Sequence, residues 1–348
     1  QNTVRPDGSP QIKFEPMHFA SRLFLLSQQY LLALRAKAGA RLAIESIKEG
    51  RRVFIATYLT MEGPIGDLAA RGLPLTFNGM LFRELEKILE VTATDFAKPK
   101  KQQKIKIKIE PDDLGPQGRK LYDRIVAAIE NTDLSEFPVS PIDYVKDQVT
   151  KAGFNIGEAT ARESHLTLDE NGEVVASKQR RAEVNAIFDK FNNGDMHAVI
   201  ANTVAGTGLS AHTDPRFLNH DQRHMIVVQP APDVNRFMQM LGRIMRFGQI
   251  SLPRYTILTT ALAAETRFMA MLRKHLSSLN ASTTADTNSD VAVDDWPDMF
   301  NSIGDQVAVD VLREHAGLVS RAGIKMSEGD EIDDDFLRKA SGRFVLLK

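Results

Sequence analysis

Cysteine is absent from this chain, which excludes disulfide bonds and thiolate-held metal sites and suits a reducing compartment. Long hydrophobic runs are missing too. The most apolar stretch, residues 19–34, is interrupted by Arg22, Ser27, Gln28 and Gln29, so no membrane-spanning helix is expected, and no signal peptide is apparent. Nor is there an excess of one charge: 44 Lys and Arg against 45 Asp and Glu leave a formal net charge of −1, unlike a uniformly basic nucleic-acid binder. The pattern G-x-x-x-x-G-K-[ST] occurs nowhere, so no loop here cradles β- and γ-phosphates in that manner. No Asp-Glu pair is expected to follow a strand and hold magnesium, and no internal repeat is seen. What is present is 348 residues with 43% hydrophobic and 26% charged content, the balance of a globular chain. That length allows one large domain with an appendage, or two domains.

The most informative stretch is Gln239-Met-Leu-Gly-Arg-Ile-Met-Arg-Phe-Gly-Gln249, with a Q-x-x-G-R-x-x-R spacing. Residues three apart on a helix point the same way. A helix over 232–247 would therefore set Arg243 and Arg246 on one face, with Gly242 letting its backbone approach a ligand. A guanidinium is forked and permanently charged, and it suits a phosphoryl group whose charge spreads in the transition state. The alternative is an amphipathic helix that buries Phe237, Met240, Leu241, Ile244 and Met245 and leaves the arginines in water. Upstream, His197-Ala-Val-Ile-Ala-Asn-Thr-Val-Ala-Gly-Thr-Gly-Leu-Ser-Ala-His212 reads as a buried strand that ends in a Gly206-x-Gly208 turn open to close ligand approach. Gly206, Gly208 and Ala211 also fit the dinucleotide fingerprint. That motif must open a long helix, whereas Pro215 follows soon after and disfavours helix at Asp214. His212 and Asp214 lack a third ligand at metal spacing and read as loop residues.

Along the chain, a helix is expected over 17–48 with Gly39 weakening its middle, then a strand over 52–58. Helices over 80–91 and 117–131 flank a lysine-rich segment. Residues 97–110 hold six lysines in fourteen positions, and Lys104, Lys106 and Lys108 alternate with Ile105, Ile107 and Ile109, the period of a half-buried strand. Such a lysine face can track a phosphate backbone, or it can protect a sheet edge from aggregation. Ser140 is expected to cap a helix that Gly153 closes. Strands over 223–229 and 254–260 alternate with the 232–247 helix and one over 261–276. This alternation implies α/β architecture with a parallel sheet. Residues 277–289 read as a linker, and 296–314 and 334–347 as short helices of an appendage. Residues 328–335 carry six carboxylates in eight positions, a solvated tail or a partner surface.

Together the two glycine- and arginine-bearing stretches resemble motifs V and VI of superfamily-two helicases and translocases, and most of all the strawberry notch-like branch, including plasmid and phage methylase-helicase fusions. Residues 201–210 align with the DEAD-box pattern A-T-D-V-A-A-R-G-L-D, with Ser210 in place of the final Asp that helps bind ribose. Motif VI matches at Gln239, Gly242, Arg243 and Arg246. Residues 52–58 resemble motif IV, and Arg180 and Arg181 before a helix ending at Phe191 and Gly194 resemble the family pattern ahead of motif V. The resemblance implies a RecA-like parallel sheet with helices on both faces over residues 17–276, with an insertion over about 61–136. A linker over 1–16 and an acidic, mainly helical appendage over 290–348 complete the expected layout. It further implies the second of two motor domains, with Arg243 and Arg246 as arginine fingers and Gly206, Gly208, Gln239 and Gly242 at the nucleotide. Thr57, Thr203 and Thr207, with the three lysines, would lie on nucleic acid, DNA or RNA. ATP would be shared with a P-loop domain in the same longer chain or in trans, and that domain would hold Mg2+. The opening Gln1 agrees with a piece of a longer polypeptide, inactive alone, in the cytoplasm of a bacterial or phage-infected cell or packaged in a virion. The competing expectation is a non-catalytic RecA-like scaffold within a large anti-restriction protein.

Overall fold

Short apolar runs without polar breaks, such as Val-Phe-Ile-Ala at 53–56 and Ala-Val-Ile-Ala at 198–201, bury both faces and so favour the interior of a parallel sheet. The computed structural model describes residues 12–14, 19–95, 103–160, 162–168, 174–178, 184–202, 209–260, 262, 265, 269–274, 302–315, 317 and 320. Its strands are β1 (Ile12–Phe14), β2 (Arg52–Thr57), β3 (Glu90–Asp95), β4 (Gln103–Lys108), β5 (Ile156–Ala159), β6 (Ser164–Leu168), β7 (Val174–Lys178), β8 (Ala198–Asn202), β9 (Arg223–Val227) and β10 (Arg254–Ile257). Its helices are α1 (Phe19–Lys48), α2 (Glu62–Ala70), α3 (Phe77–Ile88), α4 (Gly115–Glu130), α5 (Pro141–Lys151), α6 (Val184–Asn193), α7 (Val234–Leu241) and α8 (Ser302–Glu314).

Five strands pair in the order β10-β9-β2-β8-β5, every neighbouring pair parallel. Alternate side chains of β2 show what covers each face. Val53 and Ile55 share a core with Leu32, Ala36 and Ala43 of α1 and with Ile142 and Val145 of α5. Phe54 points the other way and meets Phe188 of α6 edge-on, with ring centres 6.2 Å apart. The expected α/β fold, a RecA-like parallel sheet with helices on both faces, is present. Gly39 leaves α1 unbroken over its 30 residues. A Cβ there would lie 2.9 Å from Val228 Cγ2, so the missing methyl is what lets the helix cross the end of β9 closely.

The chain between β2 and α5 folds as α2, α3, β3, β4 and α4, with β3 antiparallel to both β1 and β4. Residues 12–14, expected within a linker, pair from Ile12 with Asp95 to Phe14 with Ala93. The hairpin β6–β7 is likewise an addition to the expected layout. It follows a buried charge network centred on Arg162, whose side chain is 2% exposed. This guanidinium donates to Glu158 Oε1 at 2.5 Å and Oε2 at 2.8 Å, and to both oxygens of Asp143. Asp143 also accepts the backbone N–H of Leu166 at 2.8 Å, so the network ties α5 and β5 to the hairpin. Burial raises the Glu158 carboxyl, but Arg162 and Lys146 more than offset it and leave it at about 2. Asp143 also explains why Ser140 does not cap α5: its hydroxyl donates to that carboxylate at 2.5 Å, and no side-chain cap forms. Asp169 and Glu170 follow β6, so an Asp-Glu pair does follow a strand. That strand belongs to a hairpin and not to the parallel sheet, and the pair lies outside the described residues.

The chain divides into two compact units, Gln1–Pro230 with Leu241–Leu258, and Ala231–Met240 with Thr259–Lys348. The first contains the parallel sheet. In the second, Phe237, Met240, Met269, Ala270, Leu272 and Leu312 are buried, and Thr260 gives its backbone N–H to Glu265 Oε2 at 2.5 Å. Residue 265 and residues 269–274 are helical, within the helix expected over 261–276. The expected linker over 277–289, the helix over 334–347 and the acidic run over 328–335 lie outside the described residues. Among those described, no helix is long and apolar enough to cross a membrane.

Candidate functional site

The motif V and VI stretches meet beside the start of β9, where Arg223 donates to the Ala211 carbonyl and Asn192 of α6 to the Ser210 carbonyl. Past the end of β8 the chain crosses residues 203–208, so Thr203, Gly206, Thr207 and Gly208 lie outside the described residues, as do Arg180 and Arg181. From Leu209 onward it is laced to the segment that follows α7. The N–H of Ala211 donates to the Arg243 carbonyl at 2.8 Å, and that of Ile250 to the Thr213 carbonyl at 2.9 Å. Thr213 Oγ1 accepts from the Ser251 N–H at 3.0 Å and donates to the Ser251 carbonyl at 3.2 Å. Two sequence motifs thus become one layer.

The same lacing corrects the expected helix over 232–247. Helix α7 stops at Leu241, and Gly242 and Arg243 form a turn. A continuing helix would need the Leu241 and Arg243 carbonyls for the fourth N–H onward. Here the hydroxyl of Tyr255 takes the first at 2.8 Å and the Ala211 N–H takes the second. The two arginines therefore do not share a helix face. Arg243 is 5% exposed, and burial, then the charge of Arg246, pulls its pKa below the ordinary value. Arg246 is exposed on a turn in which its N–H donates to Gln249 Oε1 at 3.0 Å and Gly248 adopts φ +82°. Their mutual repulsion places the two charges within reach of each other, an arrangement an anion would relieve.

Behind this layer stands Arg223 at the start of β9, 1% exposed and singled out by no sequence motif. Its Nε donates to the Ala211 carbonyl at 3.1 Å, and its Nη atoms to the side chain and carbonyl of Asn219 at 2.6 and 3.1 Å. Its guanidinium lies over the Phe191 ring at 5.0 Å, and burial lowers its pKa to about 10. Asn192 of α6 adds a bond to the Ser210 carbonyl at 2.9 Å. An arginine opening a buried strand was the signal in the sequence for this support.

Ser210 Oγ lies 2.7 Å from His212 Nδ1 and 3.5 Å from the Arg243 carbonyl. His212 Nε2 is 3.3 Å from Asp214 Oδ2, and Arg216 grips both Asp214 oxygens at 2.9 and 2.7 Å. The Arg216 hydrogen bonds hold Asp214 well below the usual carboxylate range. Burial pushes the His212 pKa down, Asp214 opposes this, and Arg246, Arg216 and Arg223 reinforce it. The pocket of charge is thus basic and His212 stays neutral at pH 7. No cluster fit to hold a metal occurs among the described residues, and this setting would suit a phosphate far better than a cation.

The remaining expected residues fall elsewhere. Thr57 ends β2 but is buried, with its hydroxyl donating to the Leu59 carbonyl at 3.0 Å. Gln239 is exposed on α7, within the second compact unit. Lys104, Lys106 and Lys108 are exposed on one row of β4, paired through β3 with Thr94, Thr92 and Glu90, on a sheet separate from the motif V and VI layer.

Residues 141–333 match the family described as the C-terminal domain on strawberry notch homologues. The protein strawberry notch homolog of Caenorhabditis elegans is 30% identical over 211 residues, 58% of this chain and 11% of that protein. The Drosophila melanogaster protein strawberry notch is 26% identical over 193 residues, 53% and 12%. Protein FORGETTER 1 of Arabidopsis thaliana is 28% identical over 170 residues, 47% and 13%. The match thus spans little more than a tenth of each relative's length.

Proposed function

The chain belongs to the family of C-terminal helicase domains found on strawberry notch homologues, and from that premise we propose that it is the second motor half of an ATP-dependent helicase or translocase acting on nucleic acid, with DNA as the track. The observation that carries this reading is the lacing of residues 210–213 to 243–251, which holds Arg243 and Arg246 in one basic layer. Arg246, exposed, is the finger that reaches the γ-phosphate. Arg243, buried, supplies charge from behind, and an incoming anion relieves the repulsion between the two. ATP and its Mg2+ would be held by a P-loop domain in the same longer polypeptide or in trans. Magnesium would neutralise phosphate charge there, and this chain's own residues would orient and stabilise the transferring phosphoryl group. Gly206, Gly208, Gln239 and Gly242 are proposed for the nucleotide, and Thr203, Thr207 and the β4 lysines for the nucleic-acid backbone. Closure of the two halves on ATP and their release on hydrolysis would form a hinge-type cycle.

The test is ATP hydrolysis by the longest native polypeptide containing these residues, with and without single- and double-stranded DNA, beside its Arg246→Ala variant. A finger is worth on the order of 10³–10⁵ in rate, so turnover should fall at least about a hundredfold with ATP binding and folding intact. Full turnover in the variant would refute the assignment. One observation favours a non-catalytic scaffold instead: Ser210 stands where an aspartate binds ribose and is turned toward His212. Absence of any turnover by the intact polypeptide would select that reading.

A further inference from the structure

The turn that carries Arg246 also carries apolar side chains that the rest of its compact unit leaves in water. Met245 is 55% exposed, Phe247 fully exposed, Ile250 51% and Leu252 72%. Four large apolar groups within eight residues on a surface loop are unusual, because soluble chains keep contiguous apolar patches small unless a partner covers them. The loop is a built element. The Arg246 N–H is fixed to Gln249 Oε1, the Ile250 N–H to Thr213 and the Ser251 N–H to the Thr213 hydroxyl, so the rim is presented in a set shape.

We infer that Met245, Phe247, Ile250 and Leu252 form an apolar rim that docks on the P-loop half of the motor, with Phe247 as its anchor and Arg246 enclosed at its centre. The inference rests on the motor-half reading and names the partner surface of that same site. The chemistry chooses the occupant. Arg246, with Arg243, Arg216 and Arg223 acting on the same neighbourhood, calls for an anion at the centre. The rim calls for apolar protein around it. A nucleic-acid backbone supplies the anion but surrounds it with further phosphates, which leaves Met245, Ile250 and Leu252 uncovered. A protein face that displays a bound triphosphate answers both demands. The chain has no phosphate-binding loop of its own, and the match covers only 11–13% of the relatives' length, so such a face must come from residues other than these. A wholly exposed phenyl ring that becomes buried in a protein pocket is the typical high-energy anchor of an interface. Once the rim seals, water leaves the arginine, and its pull on phosphate strengthens.

The decisive experiment uses the longest native polypeptide with both halves and compares Phe247→Ser, the Phe247→Ser/Leu252→Ser pair and Arg246→Ala. Closure is read as protection from protease against the concentration of a non-hydrolysable ATP analogue, DNA affinity is read without nucleotide, and ATP turnover is followed beside them. Phe247→Ser should raise the analogue concentration needed for closure about thirtyfold, as loss of an anchor residue does, with unchanged melting temperature and unchanged nucleotide-free DNA affinity. The pair should be worse. Closure unaffected in both variants would overturn the inference, and so would loss of nucleotide-free DNA binding with closure intact, which would make the rim a nucleic-acid surface. The motor reading fails separately, through full turnover in Arg246→Ala.

Discussion

His224 should make this fold lose stability in mildly acidic solution, through a side chain that no functional argument uses. It is the second residue of β9, 1% exposed, with Nδ1 2.7 Å from Ser46 Oγ of α1 and Nε2 2.8 Å from Thr256 Oγ1 of β10. Burial, then the charges of Arg254 and Arg51, pulls its pKa from 6.5 to about 4. The folded protein therefore resists a proton that the unfolded chain accepts. Stability from this group is complete above pH 6.5 and is lost as pH falls toward 4. At 1.36 kcal/mol per pH unit the full window is worth about 3 kcal/mol, of which about 2 kcal/mol develops by about pH 5, before ordinary carboxylates titrate. Urea unfolding followed by circular dichroism at several pH values, for the native chain and His224→Gln, isolates the term. The variant should be weaker by about 1–2 kcal/mol at pH 7, having lost one hydroxyl partner, yet its stability should fall about 2 kcal/mol less between pH 6.5 and 5. Parallel curves would show that His224 does not carry the proton, since His212 and His197 contribute equally to both proteins.

Two further perturbations probe other parts of the molecule. Arg162→Leu removes the cation shared by Asp143 and Glu158, leaving only Lys146 on Glu158, and should cost about 3–5 kcal/mol in denaturant unfolding; a loss below about 1 kcal/mol would show the hairpin anchored by other means. Replacing Lys104, Lys106 and Lys108 together by Gln should reduce the salt dependence of DNA binding, by about 0.9 in the log–log slope for each phosphate no longer neutralised, with no change in melting temperature. An unchanged slope would return these lysines to guarding a sheet edge.

The sequence was most readable where one residue type dictates one environment. The apolar runs of β2, β8 and β9 announced parallel strands, because only a doubly covered sheet accommodates such runs. It was least readable where a distant partner decides. Nothing in Leu241-Gly-Arg-Ile-Met says that Tyr255 and Ala211 will take the carbonyls a longer helix needs. The hairpin at 164–178 depends on Arg162 finding Asp143, nineteen residues back and across a strand. Thr57 illustrates the reverse error: its place at a strand end was right, but the following turn uses its hydroxyl. Phe247 looked like part of a helix and stands in water because that helix stops early.

The lacing of residues 210–213 to 243–251 also governs how the sequence can drift. Each bond names a partner by position, so one residue inserted on either side would shift every pairing beyond it, and lengthening both sides at once would require coordinated change. Residues 215–222 lie between the laced strip and the buried start of β9, and most of them are exposed. Variation in length among descendants of this chain should therefore collect there, and the laced strip should pass down at fixed length.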